Sequence, residues 1–401
     1  MALTGKNIVI AVCGSIAAYK IAVLIRLLVK AGAHIKVIMS EEATAFITPL
    51  TLSTLSKNPV LVDYYQENTG EWNNHVEIAL NADYILIAPA TANTIAKMAA
   101  GLCDNLLMAV YLSAKCPVFF APAMDLDMWK HPSTQSNVDR LRSYGNMMIP
   151  PEKGELASGL IGEGRLAEPD EIMDFLAHYS DAELPLYGKK ALVSAGPTHE
   201  AIDPVRFIGN HSSGKMGYAI AKQLKELGAD VTLVSGPSAL QPPAQVELVR
   251  VTSAAEMLQA CEEYFDRSSI IVMSAAVADY TPAEVATQKI KKKEAEFSIS
   301  LKKTTDILAT LGAKKRADQL LIGFALETNN ELENAKDKLI RKNLDFIVLN
   351  SMQDKGAGFA TDTNKVTIIN REGNINEFTL KSKDDVAKDI CSIIVQQHSS
   401  H

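Results

Sequence analysis

Apolar residues in this chain gather into short continuous runs, and the stretches between the runs repeat their apolar positions every three or four residues. In the first half the runs fall at 7–12, 34–39, 84–88 and 117–121; in the second they fall at 190–194, 230–234, 270–273, 320–324 and 345–349. Such short runs, rich in Ile, Val and Leu, predict strands buried on both faces. The helical period over 16–30 and 94–113, and again over 215–228, 254–265 and 331–342, predicts helices between them. Strands alternating with helices fold as a parallel sheet covered on both faces, with ligands taken outside the carboxyl ends of the strands. The expected fold class is α/β, in two doubly wound domains.

The chain starts the same way twice. GKNIVIAVCG at 5–14 and GKKALVSAG at 188–196 each join Gly-Lys to an apolar run that ends at a glycine, and DAELPLYGKK (181–190) between them is polar with one proline. The expected domains are 1–187 and 188–401, and 401 residues suit two cores better than one. Hydrophobic residues at 47% and charged residues at 22% exclude a disordered chain. Lys+Arg of 40 against Asp+Glu of 47 leaves −7, so no cation excess exists to release counterions, and no nucleic-acid partner is expected. The best membrane candidate, 21–39, is interrupted by Arg26, Lys30, His34 and Lys36, so no membrane partner is expected either. Thr4, Gly5 and Lys6 lead directly into the first strand without a signal-peptide pattern, and the five cysteines are scattered without CxxC spacing. Both features suit a cytoplasmic protein without disulfides or structural zinc.

The first strand turns through VCGSIAAYK (12–20). A dinucleotide site needs G-x-G-x-x-G, and here only Gly14 is present. Gly14, Ser15 and Ile16 entering an amphipathic helix leave two readings: Ser15 caps the helix, or the turn holds a phosphate monoester, as in a mononucleotide such as FMN. Ser40 in MSEEAT (39–44) and Thr91, Asn93 and Thr94 in APATANTIAK (88–97) stand at two further strand ends, as caps or as walls of the same crevice. His75 lies in the polar stretch EWNNHVEIA, and PAMDLDMW (122–129) opens at another strand end. GELASGLIGEGRL (154–166), rich in glycine and poor in large apolar groups, suits either a mobile flap or a bare connector.

Taken in order, these blocks resemble the flavin-dependent cysteine decarboxylases, specifically the phosphopantothenoylcysteine decarboxylases, over about 5–178. The resemblance implies a flavodoxin-like, Rossmann-like flavoprotein domain that forms trimers, with FMN at the subunit interface on Gly14, Ser15, Ile16, Ser40, Thr91, Asn93 and Thr94. It implies His75 as the base in a flavin-dependent oxidation of the substrate thiol; the neighbouring thiocarbonyl then lets the carboxylate leave as CO2. Asp125 and Met128 would contact substrate, and Ser158 in the flap would supply the last proton. Two positions depart from the family. Its P-x-M-N-x-x-M-W block has Asn where Asp125 stands, and an ionised Asp repels a substrate carboxylate that an amide would bind. Its flap carries a proton-donating Cys where Ser158 stands, and a hydroxyl is a far weaker acid than a thiol.

In the second half GNHSSGKM (209–216) nearly matches the P-loop G-x-x-x-x-G-K-[ST] but places Met216 where the magnesium-binding hydroxyl belongs. A P-loop ATPase is rejected, while Ser212, Ser213 and Gly214 ahead of a helix still suit a phosphate. MSAAVADY (273–280) sets small residues after a strand, either for tight packing or for approach of a base or ribose. Lys289, Lys291, Lys292, Lys293, Lys302 and Lys303 follow, as a solvated face or a triphosphate clamp, and Lys338 and Lys342 share one helix face.

With GFALETN (323–329) and KLIRKN (338–343), these blocks resemble the phosphopantothenate–cysteine ligases over roughly 188–395. The resemblance implies a nucleotide-binding ligase domain that activates the 4'-phosphopantothenate carboxylate with CTP, giving an acyl-cytidylate that cysteine's amine attacks. Lys289 would neutralise charge in cytidylyl transfer and Asn210 would hold the acyl-cytidylate. CTP contacts carried over are Ser212, Ser213, Gly214, Met273, Ser274, Ala275, Asp279, Lys289, Thr305, Asp306, Ile307, Leu308, Phe324, Lys338 and Lys342. Mg2+ would bridge phosphate oxygens beside Asp279, there being no dedicated carboxylate cage. Ligase dimers combined with decarboxylase trimers imply a closed homo-oligomer such as a dodecamer.

The expected function is therefore two consecutive steps: ligation by the second half, then decarboxylation to 4'-phosphopantetheine by the first. The alternative is an active ligase fused to a flavin-binding regulatory, or only oxidatively decarboxylating, first half. A dehydrogenase fused to a kinase fails on the missing glycines and the broken P-loop.

Overall fold

A computed structural model describes residues 3–66, 69–291, 298–327, 330–351 and 363–398; Lys292 and Lys293 lie outside the described residues. The chain divides into two compact units, 1–181 and 182–401.

The first unit is a parallel sheet of β1 Asn7–Val12, β2 His34–Met39, β3 Val60–Leu61, β4 Tyr84–Ala90, β5 Val118–Pro122 and β6 Met147–Met148, in the order β3-β2-β1-β4-β5-β6. Without the two-residue β3 this is the flavodoxin order; with it, the dinucleotide-binding order. The strands are apolar on both faces because each face has its own helical cover. Ile8, Ile10 and Val12 pack with Ile21, Leu24 and Leu28 of helix Tyr19–Lys30, whereas Val9 and Ala11 pack with Ile95, Met98 and Leu106 on the other side. The connection reverses between β1 and β4, which opens a crevice at their carboxyl ends.

Two expectations are corrected here. The helix expected over 94–113 is two helices: Ala92–Ala100 ends on Gly101 at φ 69°, a left-handed conformation, and Asn105 caps Leu106–Leu112 by accepting from the Met108 N–H. The glycine-rich block 154–166 is no bare connector but most of an antiparallel hairpin, Glu152–Glu155 with Ile161–Arg165.

The second unit orders its parallel strands Glu247–Arg250, Asp230–Ser235, Lys190–Ala195, Ile270–Met273, Leu320–Glu327 and Phe346–Ser351, then adds Val366–Asn370 and Ile375–Glu377 antiparallel. Helices Lys215–Glu226 and Lys383–His398 cover one face through Ile220, Leu224, Val386 and Ile390; Met257, Phe265, Leu311 and Leu339 cover the other. Part of the polar stretch 181–190 belongs to this core: Leu186 is buried, and its N–H donates to Leu227 O at 2.9 Å. A short antiparallel pair, His199–Ala201 with Phe207–Gly209, separates the first strand of the unit from the 209–216 turn. No helix among the described residues is long and apolar enough to cross a membrane.

Candidate active sites

In the first unit the crevice is a cavity of about 180 Å³ lined by Gly14, Ser40, Thr91, Asn93, Thr94 and Met128, together with Glu42, Lys97 and Asn105. Thr91 caps its helix by accepting from the Thr94 N–H at 3.2 Å, and Ser15 caps the turn Ile16–Ala18 by accepting from the Ala17 N–H at 3.3 Å. Ser15 and Ile16 do not line this cavity. The Ser40 hydroxyl is buried without a hydrogen-bond partner, which leaves it available to a ligand. Gly14 is required by packing instead: a Cβ there would stand 2.6 Å from Glu42 Cβ. Lys97 pairs with Asp104 at 2.6 Å, and that hydrogen bond holds the Asp104 carboxyl below its ordinary range. Behind the cavity, burial pushes the Cys13 thiol up to about 11 against a smaller opposing contribution from Thr94, so Cys13 is an inert wall.

His75, Asp125 and Ser158 lie outside that lining. His75 begins helix His75–Leu80, edge-on to Tyr64 and Trp72 at 6.3 and 6.0 Å between ring centroids, with its Nδ1 buried and unpartnered. Asp125 caps helix Leu126–Lys130, its Oδ1 accepting from the Leu126 N–H at 2.6 Å. Ser158 is exposed in the turn of the hairpin. The hairpin's base is fixed beside Asp125: the Met124 N–H donates to Gly164 O at 2.9 Å. Just past the second strand, at the same end, Lys20 is buried and donates to Leu166 O at 2.7 Å and to Glu168 at 2.9 Å, and Glu168 also takes Arg165 at 2.5 Å.

In the second unit a cavity of about 440 Å³ opens at the strand ends. It gathers Met273, Ala275, Asp279, the 305–308 segment, Phe324, Lys338 and Lys342, with Ser194, Tyr280 and Lys303 in addition. Lys338 donates to Phe324 O at 2.9 Å, and Lys342 pairs with Asp306 at 2.7 Å. Burial raises the Asp306 carboxyl, but the Lys342 ammonium and the Ala309 N–H outweigh it and leave Asp306 below the usual range. A smaller cavity of about 130 Å³ shares Ala275 and Phe324 with the first and holds Ser212, Ser213, Gly214 and Ser274. Asn210 donates to Ala276 O and Val277 O at 3.0 and 3.2 Å, tying the 209–216 turn to the 273–280 loop.

Lys289 is exposed and lines neither cavity, but its loop is anchored. Asp203, fully buried, accepts from the Ile290 N–H at 3.1 Å and from Arg206 Nε at 3.0 Å, and Arg206 donates to Ile290 O at 3.0 Å. Its bond to Arg206 holds the Asp203 carboxyl well below the carboxylate range, against the opposing effect of burial. Among the described residues no group of three His, Cys, Asp or Glu could hold a metal.

Sequence reasoning missed several lining groups. Ser194 and Asn350 sit at carboxyl ends of strands, the place where ligands are taken, and were findable on that ground. Asn364 and Lys383 come from elements that carried no chemical signature.

Both units match known families. Residues 2–180 match the Flavoprotein family model and 186–398 match the DNA/pantothenate metabolism flavoprotein C-terminal domain. The chain is a flavoprotein fused to that domain. A coenzyme A biosynthesis bifunctional protein CoaBC from Bacillus subtilis (strain 168) is 45% identical, over 97% of this chain and 96% of its own. A protein from an unknown prokaryotic organism, named cysteine/cysteine sulfinic acid decarboxylase, is 55% identical over 86% of this chain and 97% of its own. Among solved structures, the C-terminal domain of a CoaBC protein is 43% identical, covering 55% of this chain and 100% of its own at a TM-score of 0.47. The chain belongs to the family of bifunctional coenzyme A biosynthesis proteins.

Proposed function

We propose that the second unit joins cysteine to 4'-phosphopantothenate with CTP, and that the first decarboxylates the product to 4'-phosphopantetheine with FMN. The observation that carries the ligase is the 440 Å³ cavity, which gathers residues from separate segments around Lys338, Lys342 and Lys303, cations suited to an anionic nucleotide. Asp306 spends its charge on Lys342 and so leaves less repulsion for that anion. A carboxylate oxygen of phosphopantothenate attacks the α-phosphorus, and the bond to the β-phosphate breaks with pyrophosphate taking the electron pair. Cysteine's amine then attacks the acyl carbon and CMP leaves. Lys289 supports the first step and Asn210 the second. Mg2+ would be carried by the CTP phosphates, and Asp279, which lines this cavity, would offer it a carboxylate.

In the first unit the residues fit a phosphorylated flavin: Gly14, the buried Ser40 hydroxyl, which has no hydrogen-bond partner, and Thr91, Asn93 and Thr94 line one crevice from three strand ends. The flavin, when bound, supplies two-electron oxidation and reduction. His75 accepts the substrate proton. Asp125 offers its capped carboxylate where an amide would donate, so substrate binding relies on the neighbouring backbone and Met128. Ile16, Tyr19 and Val23 are exposed at helical spacing, an apolar stripe suited to a subunit contact; the trimer and the cytoplasmic compartment rest on the family resemblance.

The test is one coupled assay with phosphopantothenate, cysteine, CTP and Mg2+, following CMP and CO2. Absence of CMP overturns the ligase; CMP without CO2 leaves the first unit as a flavin-binding module. A second reading of the first unit has free cysteine or its sulfinic acid as substrate, favoured by the relative of that name at 55% identity. CO2 released from either amino acid without CTP would select it.

A further inference from the structure

His75 is the base of the proposed decarboxylation, yet no hydrogen bond sets its ring. A catalytic imidazole is ordinarily oriented by the group that its second nitrogen touches. Nδ1 of His75 is buried and has no hydrogen-bond partner among the described residues. Its ring meets two aromatic side chains edge-on instead: Tyr64 at 6.3 Å with 89° between the planes, and Trp72 at 6.0 Å with 73°. Both come from one turn that is closed on itself. The Asn73 N–H donates to Tyr64 O at 2.7 Å, Asn73 Nδ2 donates to Asp63 O at 2.7 Å, and Tyr65 pairs with Trp72 in an antiparallel bridge. Asn74 then starts the helix of His75 by accepting from the Val76 and Glu77 N–H groups at 3.1 and 3.2 Å. The assembly is also joined to the proposed flavin crevice. The Tyr64 hydroxyl lies 3.9 Å from Cys103 Sγ, in the loop that leads to Asn105 of the crevice wall. On the other side, Ile78 and Ala79 share a core cluster with Leu107, which lines the crevice as well.

We propose that Tyr64 and Trp72 are positioning residues for His75, their rings holding the imidazole in the orientation in which its other nitrogen, Nε2, meets the substrate proton. This rests on the decarboxylase reading, in which His75 accepts that proton. A small planar ring in contact with two larger ones turns about its Cβ–Cγ bond only by displacing one of them, and aromatic pairs at such distances resist displacement. Reaction needs the base within about 3–3.5 Å of its target and in line with it. A base released to turn therefore loses rate before the site loses affinity.

The experiment uses the complete chain loaded with FMN and supplied directly with phosphopantothenoylcysteine. Tyr64→Leu and Trp72→Leu remove one ring each, and Tyr64→Phe and Trp72→Phe keep an aromatic ring. Each Leu variant should lower kcat for CO2 release about ten- to a hundredfold, with KM and FMN affinity within about twofold of wild type, and each Phe variant should recover most of the loss. Combining Trp72→Leu with His75→Asn should cost nothing beyond His75→Asn alone, because a positioning residue has no effect once its base is gone. A readout apart from activity is the His75 ring-proton NMR signal, identified by its loss in His75→Asn; the ring currents of Tyr64 and Trp72 displace it, and each Leu variant should move it back. Additive losses in the double variant, an unmoved signal, unchanged kcat, or a loss of rate that follows weaker FMN binding would each overturn the proposal. If Tyr64→Leu does not fold, Trp72→Leu carries the test, since Trp72 is 59% exposed and its replacement leaves the core intact. Failure of the decarboxylase reading is distinguishable: the wild type would then release no CO2 from this substrate, and the positioning role would fall with it.

Discussion

Asp203 holds the loop of Lys289, the residue proposed to meet the charge of cytidylyl transfer. Its buried carboxylate takes N–H groups from Val205, Arg206 and Ile290, and so fixes the loop that starts at Lys289. Asp203→Asn keeps the size but loses the charge that holds Arg206. The expected result is a fall of about ten- to a hundredfold in kcat for pyrophosphate release, with little change in KM for CTP, because misplaced groups lose rate before binding. Its carboxyl is depressed in the folded state, so its contribution to stability is complete above the ordinary Asp value of about 3.9 and disappears as pH falls through the depressed one. Urea unfolding should therefore separate wild type from variant at neutral pH and bring them together only in strong acid. Ser158 offers the opposite case, a residue exposed in a turn whose proposed role rests on acidity alone. A thiol near pKa 8.5 gives up a proton far more readily than a hydroxyl. Ser158→Cys should raise the share of saturated thiol over enethiol among decarboxylated products, measured by mass spectrometry. An unchanged ratio would remove Ser158 from the proton path.

At the scale of elements, the hairpin Glu152–Glu155 with Ile161–Arg165 is held at its exit by Lys20 from the first long helix. Lys20→Met takes the buried ammonium from Leu166 O and leaves Glu168 with Arg165 alone. The unit should lose about 1–2 kcal/mol, the lower part of the range for charged hydrogen bonds because Glu168 is 39% exposed. The Lys20 hydrogen bond is the main cause that lowers the Glu168 carboxyl. The wild type's advantage is therefore full above about pH 4.3 and shrinks as pH falls through the depressed folded value; thermal unfolding at several pH values reads both effects. The elements themselves were legible to different degrees. The core strands could be read because both faces are largely buried, which makes most positions apolar; His34 and Lys36 in β2 are exposed exceptions. The antiparallel strands Val366–Asn370 and Ile375–Glu377 could not, since only the first is largely buried and the second is exposed. The break at Gly101 escaped the helical period because the apolar repeat resumes after it, and only the Asn105 cap marks a new start. Site positions on strand-end turns were readable from their small and hydroxyl residues, whereas Lys383 and Asn364 reach the cavity through tertiary folding alone.

At the scale of the molecule, each unit has its own core, and each of the two proposed cavities is lined, among the described residues, by residues of one unit. The net charge of −7 gives CTP no general attraction, so affinity has to come from the local cations Lys303, Lys338 and Lys342, all within the second unit. A fragment spanning 182–401, which keeps Leu186 in its core, should therefore fold alone and form CMP from phosphopantothenate, cysteine and CTP at the full chain's kcat/KM. It should release no CO2. Adding a separate 1–181 fragment loaded with flavin should restore CO2, because the product of the second unit is the substrate of the first. If the 182–401 fragment folds, by circular dichroism and a cooperative thermal transition, yet forms no CMP, the ligase site depends on the first unit and the separation argued from the two cores is wrong. If both fragments work but CO2 from the mixture lags the full chain at equal site concentrations, the covalent link contributes by raising the effective concentration of one step's product at the next site.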